Sequence, residues 1–169
     1  MNILRISCFA HFQSLINYDI IFWGSSTSMC IVYLIQKRII RVRLGLDPRS
    51  SCRGVFKKLG ILTVSSLYIF AVIIFVVRNP NHFKTISCIH SIYMRQKINY
   101  IYHQWNFLQS KGVAYFSIKI FNKLSLNISK FCIDNLLFSA LKKFLVQKAS
   151  YTLDEFLSVN CDVNWHNRF

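Results

Sequence analysis

Residues 31–60 read IVYLIQKRIIRVRLGLDPRSSCRGVFKKLG, and the spacing of their apolar side chains decides the fold class. Ile31, Leu34, Ile35, Ile39 and Val42 recur at intervals that place them on one face of an α-helix. Lys37, Arg38 and Arg41 take the remaining surface, and Gly45 stands where a helix stops. Asp47-Pro48 then supplies a turn, or a cap followed by a first-turn proline. Cys52, Val55, Phe56 and Leu59 form a second apolar stripe, closed by Gly60. Two basic amphipathic helices joined by DPRSS (47–51) are therefore expected.

Downstream, Ile61 to Val77 carries Thr63, Ser65, Ser66 and Tyr68 as its only polar side chains. As a helix it would be roughly 26 Å long, at the lower limit for crossing a bilayer core of about 30 Å. Two readings stay open: a helix buried on all sides, or a single membrane span at 61–77 with the basic segment on the cytoplasmic side. Asn79-Pro80 ends it. From 81 to 110 the periodicity fades into a polar and aromatic mix, including Tyr93, Tyr100, Tyr102, His103 and Trp105, which reads as loop. Val113, Phe116, Ile120 and Leu124 restore helical spacing, with Lys119 and Lys123 outward. Ile133, Leu136, Leu137, Ala140, Leu141, Phe144 and Leu145 predict a further helix. Thr152 and Glu155 form a capping box for a last short one through Phe156 and Leu157. The fold class is mainly α, an irregular bundle of about five to seven helices around a loop-rich middle.

A hydrophobic content of 53% over 169 residues is enough for a core and excludes a disordered chain. The charge is lopsided, with 21 Lys and Arg against 6 Asp and Glu. Residues 1–133 hold only Asp19 and Asp47 as acids, whereas 134–169 balance bases with acids. The chain thus divides into a basic helical region, 1–133, and a C-terminal helical tail, 134–169, of one incomplete domain.

Such an excess favours polyanions, either nucleic acid or an anionic membrane surface. It is densest at Lys37, Arg38, Arg41, Arg43, Arg49, Arg53, Lys57 and Lys58, opposed there only by Asp47. Phosphate contacts by such a cluster release counterions and give a salt-sensitive affinity blind to sequence. With aromatics at 15% available for stacking, an RNA or DNA backbone is the preferred partner. The competing reading is a solvated helix face.

Six cysteines, Cys8, Cys30, Cys52, Cys88, Cys132 and Cys161, lie far apart and read as buried thiols of a reducing compartment. His11, Gln13, Asn17 and Asp19 interrupt any signal-like apolar run, so an intracellular location, nuclear or cytoplasmic, is expected, with membrane as the alternative. Cys88 and His90 with His103, or Cys161 with His166, lack the close ligand pairs of a structural zinc site. No metal, cofactor, small-molecule substrate or catalytic residue is expected.

The order of several segments carries a resemblance. NYDIIFWG (17–24) and the basic stretch to Lys58, GILTVSSLYIF (60–70), NHFKT (81–85), IH (89–90), YFSIKIFNKL (115–124) and YTLDEFLS (151–158) occur in series over nearly the whole chain. This series resembles the region just downstream of the catalytic core in reverse transcriptases of jockey-like non-LTR retrotransposons. Those RNA-directed DNA polymerases hold catalytic metals on paired aspartates of a Tyr-x-Asp-Asp turn, upstream of the matching segment. No Asp-Asp pair occurs here, and Tyr18-Asp19-Ile20 offers one carboxylate. The resemblance implies a truncated, degenerate, non-catalytic remnant, with the post-catalytic helices lying against nucleic acid. Departures include Ser65 and Ser125 where the family has proline, Tyr93-Met94-Arg95 for Asn-Thr-Arg, Ala71 for an acidic residue, and no glycine between Ser117 and Ile118. The proline losses take pre-organisation away from the helix starts. The rival is a small single-pass membrane protein anchored by 61–77.

Overall fold

Gly45 and Gly60 both adopt the left-handed conformation, at φ 61° and 63°, and each ends a helix. Leu46 N–H donates to Arg41 C=O at 2.9 Å and Gly45 N–H to Val42 C=O at 3.3 Å; Ile61 and Gly60 repeat the pattern on Phe56 and Lys57, at 3.1 and 3.2 Å. These paired bonds satisfy the last carbonyls of each helix, where a side chain bearing Cβ would be strained.

The computed structural model describes Ile6 and residues 12–83, 113–128 and 135–158. Among them are eight α-helices, five of seven residues or more, and no strand. They are α1 (Ser14–Asn17), α2 (Ile20–Trp23), α3 (Ser28–Leu44), α4 (Arg53–Leu59), α5 (Val64–Arg78), α6 (Val113–Ile128), α7 (Asn135–Lys148) and α8 (Leu153–Ser158), with a 3₁₀ turn at Pro80–His82. The expected mainly helical, irregular arrangement is what forms. Most of the loop expected at 81–110 lies outside the described residues.

The chain divides into two compact units, Met1–Ala71 with Ala140–Phe156, and Val72–Ser139 with Leu157–Phe169. In the first, the buried side chains include Ile16, Ile20, Met29, Tyr33, Ile40, Phe56, Leu62, Tyr68, Ile69, Leu141, Leu145 and Phe156. Gly24 meets the Tyr68 ring so closely that a Cβ there would fall on ring carbons and 2.6 Å from the Ile20 carbonyl oxygen. In the second, Val72, Ile73, Val76, Phe83, Ile118, Ile120, Phe121 and Leu124 are buried, and Phe75 meets Phe83 edge-on at 5.9 Å. Of the expected α6 stripe, Ile120 and Leu124 are buried and Val113 and Phe116 half-buried; Ser117, Ile118 and Phe121 are buried beside them, with Lys119 outward and Lys123 half-buried.

The apolar helix starts at Val64, three residues later than the expected Ile61. Two side chains fix that start. Thr63 Oγ1 accepts the Ser66 N–H at 3.3 Å as an N-cap, and Gln36, fully buried on α3, clamps the preceding backbone. Its Nε2 donates to Leu62 C=O at 2.9 Å while its Oε1 accepts Val64 N–H at 3.1 Å. Thr63 and Ser65 also donate to Ser150 C=O, at 2.7 and 2.6 Å. Side-chain hydrogen bonds thus set the helix start where proline is absent.

The orientation of α3 corrects the sequence reading. Met29, Tyr33, Gln36 and Ile40 face the core, whereas Ile31, Leu34, Ile35 and Val42 are exposed and Ile39 is half-buried. Two polar-tipped residues won over four aliphatic ones because each has partners inside. Gln36 bridges two peptide groups, and the Tyr33 ring packs 6.5 Å from Phe56 and 5.1 Å from Tyr151. Cys30 is likewise exposed, against the expectation of a buried thiol, while Cys52 is buried as expected.

Among the described residues no single helix is long and apolar enough to cross a membrane. Helices α4 and α5, bent by 52° at their break, reach that length and composition only as a pair. Val64 to Ile69, Val72, Ile73 and Val76 are buried, whereas Phe70, Ala71, Ile74, Phe75 and Val77 are half-buried, so the helix is covered on most sides but not all.

Candidate nucleic-acid interface

The eight cations singled out from the sequence lie on α3, on the turn that follows it, and on α4. Asp47 shapes that turn: its carboxylate accepts the Arg49 N–H at 3.2 Å and its carbonyl accepts the Ser50 N–H at 3.0 Å. The Asp47-Pro48 step is thus a turn, and α4 begins only at Arg53. Arg41 secures the turn from α3, its Nη2 and Nε donating to Ser50 C=O at 2.9 and 3.2 Å.

Arg41, Arg53 and Lys37 help to hold the unit together. Besides Arg41, Arg53 pairs with Glu155 of α8 at 2.6 Å and stacks 4.4 Å from the Tyr151 ring centroid. Lys37 Nζ lies 4.6 Å from the Tyr33 centroid and 5.9 Å from that of Tyr151. Lys37 and Arg53 therefore converge on one aromatic pair, where cation–π attraction and the Glu155 carboxylate offset their charge. Glu155 also accepts the Tyr151 N–H at 2.7 Å through Oε2, and its own N–H donates to Thr152 Oγ1 at 3.1 Å. The capping box forms, with the carboxylate reaching one residue further back than the simplest version.

The side chains of the other five, Arg38, Arg43, Arg49, Lys57 and Lys58, are exposed. Arg43 closes the last turn of α3, and Lys57 and Lys58 the last turn of α4, where cations also complement the helix dipole. The sequence reading missed the Tyr33, Tyr151 and Glu155 setting, because Arg53 and Glu155 meet across 102 residues of chain. Burial pushes the Tyr33 phenol well above its ordinary range, and burial likewise raises that of Tyr68.

The histidines and cysteines considered as metal ligands, Cys88, His90, His103, Cys161 and His166, lie outside the described residues. Among the described ones, no group of three or more His, Cys, Asp or Glu gathers. No protein-family model, curated protein or solved structure matches this chain.

Proposed function

We propose that this chain is a non-catalytic segment akin to the post-catalytic part of a non-LTR retrotransposon reverse transcriptase, whose activity is at most sequence-nonspecific binding of an RNA or DNA backbone. The exposure of Arg38, Arg43, Arg49, Lys57 and Lys58 carries the reading. Cations turned to solvent can each neutralise a phosphate, and no acid is exposed between residues 28 and 58 except Asp47. The ordered series of segments from 17 to 158 supports the ancestry, and the lack of an Asp-Asp pair supports the want of polymerase chemistry. Lys37, Arg41 and Arg53 act in this reading as supports of the surface.

Gel-shift titration with two duplexes of unrelated sequence tests the binding, and primer extension on an RNA template with magnesium or manganese tests the chemistry. Equal affinity for both duplexes and no templated product are expected. A strong preference between them, or product above background, would defeat the proposal. A membrane anchor formed by α4 and α5 is the second reading, favoured by their combined length and composition; recovery in the membrane pellet after alkaline carbonate extraction would support it.

A further inference from the structure

Ile31, Leu34, Ile35 and Val42 are 62%, 58%, 47% and 73% exposed, although α3 buries a complete face of its own. At 100° per residue, these four and Arg38 span an arc about 100° wide, centred about 180° from the arc of Met29, Tyr33, Gln36 and Ile40. A helix with two such faces has its outer one left exposed among the described residues. Single exposed aliphatic side chains need no explanation, but four aligned along one helix do.

The charge of α3 limits what can cover this ridge. It carries Lys37, Arg38, Arg41 and Arg43 and no acid, so a second copy laid along it would set like charges against each other in either direction. A nucleic-acid backbone satisfies Arg38 but offers nothing to aliphatic side chains, which cannot stack on bases as aromatic rings do. An anionic bilayer surface supplies both requirements: acyl chains receive the aliphatic ridge, and headgroup phosphates or carboxylates receive the guanidinium groups. Arg38, within the stripe, has a stem long enough to bring its charge up to the headgroups while its methylenes stay in the apolar layer.

We propose that α3 is an interfacial anchor that lies along anionic membranes through Ile31, Leu34, Ile35 and Val42, with Arg38 at headgroup level. This surface is distinct from any span through α5, and it stands whether or not the exposed cations also bind nucleic acid.

The test is co-sedimentation of the full chain with vesicles of phosphatidylcholine alone and of phosphatidylcholine mixed with phosphatidylserine. The same is done with a variant carrying Ile31→Gln, Leu34→Gln, Ile35→Gln and Val42→Gln. All four positions are exposed, so the variant should keep the wild-type thermal transition by circular dichroism. Wild type is expected to partition onto the phosphatidylserine vesicles and not onto phosphatidylcholine alone. In the variant that partition should drop by about tenfold or more, as lost apolar insertion requires, while its affinity for duplex nucleic acid stays unchanged. Absence of wild-type partition, or undiminished partition of the variant, would overturn the proposal. A wild-type dimer that the variant breaks, without vesicle binding in either, would overturn it in favour of a second copy. Loss of duplex affinity in the variant would also count against it, by assigning the ridge to nucleic acid.

Discussion

Gln36 and Val64 are joined by a buried hydrogen bond of 3.1 Å, from the Val64 N–H to the Gln36 Oε1, across 28 residues of chain. With the reciprocal bond from Gln36 Nε2 to Leu62 C=O, it lets one side chain of α3 satisfy both peptide groups that flank the N-cap of α5. Gln36 is therefore a structural residue despite its polarity, and its burial fixes which face of α3 points inward. Replacing it by Leu keeps the bulk but orphans two buried backbone groups. At about 1–3 kcal/mol for each, the variant should lose roughly 2–6 kcal/mol of stability by urea denaturation. A loss below about 0.5 kcal/mol would show that the clamp is unimportant.

Gly24 tests the packing of α2 on α5. A methyl group there has neither room against the Tyr68 ring nor clearance from the Ile20 carbonyl. Gly24→Ala should thus destabilise by about 1–3 kcal/mol, as overpacking does. In a Tyr68→Leu background the penalty should shrink, because the ring is gone, and a thermal-denaturation cycle over the four proteins reads that coupling directly.

These two sites mark the border of what the sequence made legible. Helix positions, the glycine stops at 45 and 60, and the Thr152–Glu155 cap rest on local chemistry: the stops form as read, the apolar helix starts three residues late, and the Glu155 carboxylate reaches back to Tyr151. The inward face of α3 does not follow from local pattern. Hydropathy favours Ile31, Leu34, Ile35 and Val42, whereas burial goes to Tyr33 and Gln36 because of partners at Phe56, Leu62, Val64 and Tyr151, all distant in sequence. The basic cluster was legible as a cluster. Its division into supporting and exposed cations depends on Tyr33, Tyr151, Glu155 and the Ser50 carbonyl, and no spacing rule reveals such partners.

Glu155 should matter more than Arg53. The ion pair is substantially exposed, with the Arg53 side chain at 42%, so solvent screening leaves it about 1 kcal/mol or less. Arg53→Met, which removes the guanidinium from Glu155 and from the Tyr151 ring but strands no backbone group, should therefore cost about 1 kcal/mol or less. Glu155→Ala loses the pair and the carboxylate that receives the Tyr151 N–H, for a total of about 1–2 kcal/mol. Chemical denaturation of both variants checks the order, and an equal or larger cost for Arg53→Met would contradict it.

The buried tyrosines predict alkaline sensitivity. Both Tyr33 and Tyr68 have phenols raised above the ordinary value of 10.0, chiefly by burial. The folded chain then keeps protons that the unfolded chain releases, so their contribution is complete below about pH 10 and is lost as pH rises beyond it. Each group should add a slope of about 1.4 kcal/mol per pH unit to that fall. Urea midpoints measured from neutral to alkaline pH should drop steeply above about pH 10, and less so in Tyr68→Phe. An identical profile in that variant would exclude Tyr68 as a source.

The most direct measurement of polyanion binding through the exposed cations is the salt dependence of affinity for a duplex, followed by fluorescence anisotropy in wild type and two variants. One variant changes Arg38, Arg43, Arg49, Lys57 and Lys58 to Gln; the other changes Lys37 alone to Gln, at a position engaged with Tyr33 and Tyr151. Each phosphate that is no longer neutralised should flatten the log–log salt slope by about 0.9, so the five-site variant should lose most of the slope and bind at least about tenfold more weakly at low salt. Lys37→Gln should leave the slope within about 0.9 of the wild-type value. A five-site variant with unchanged slope and affinity would contradict the assignment of binding to this surface.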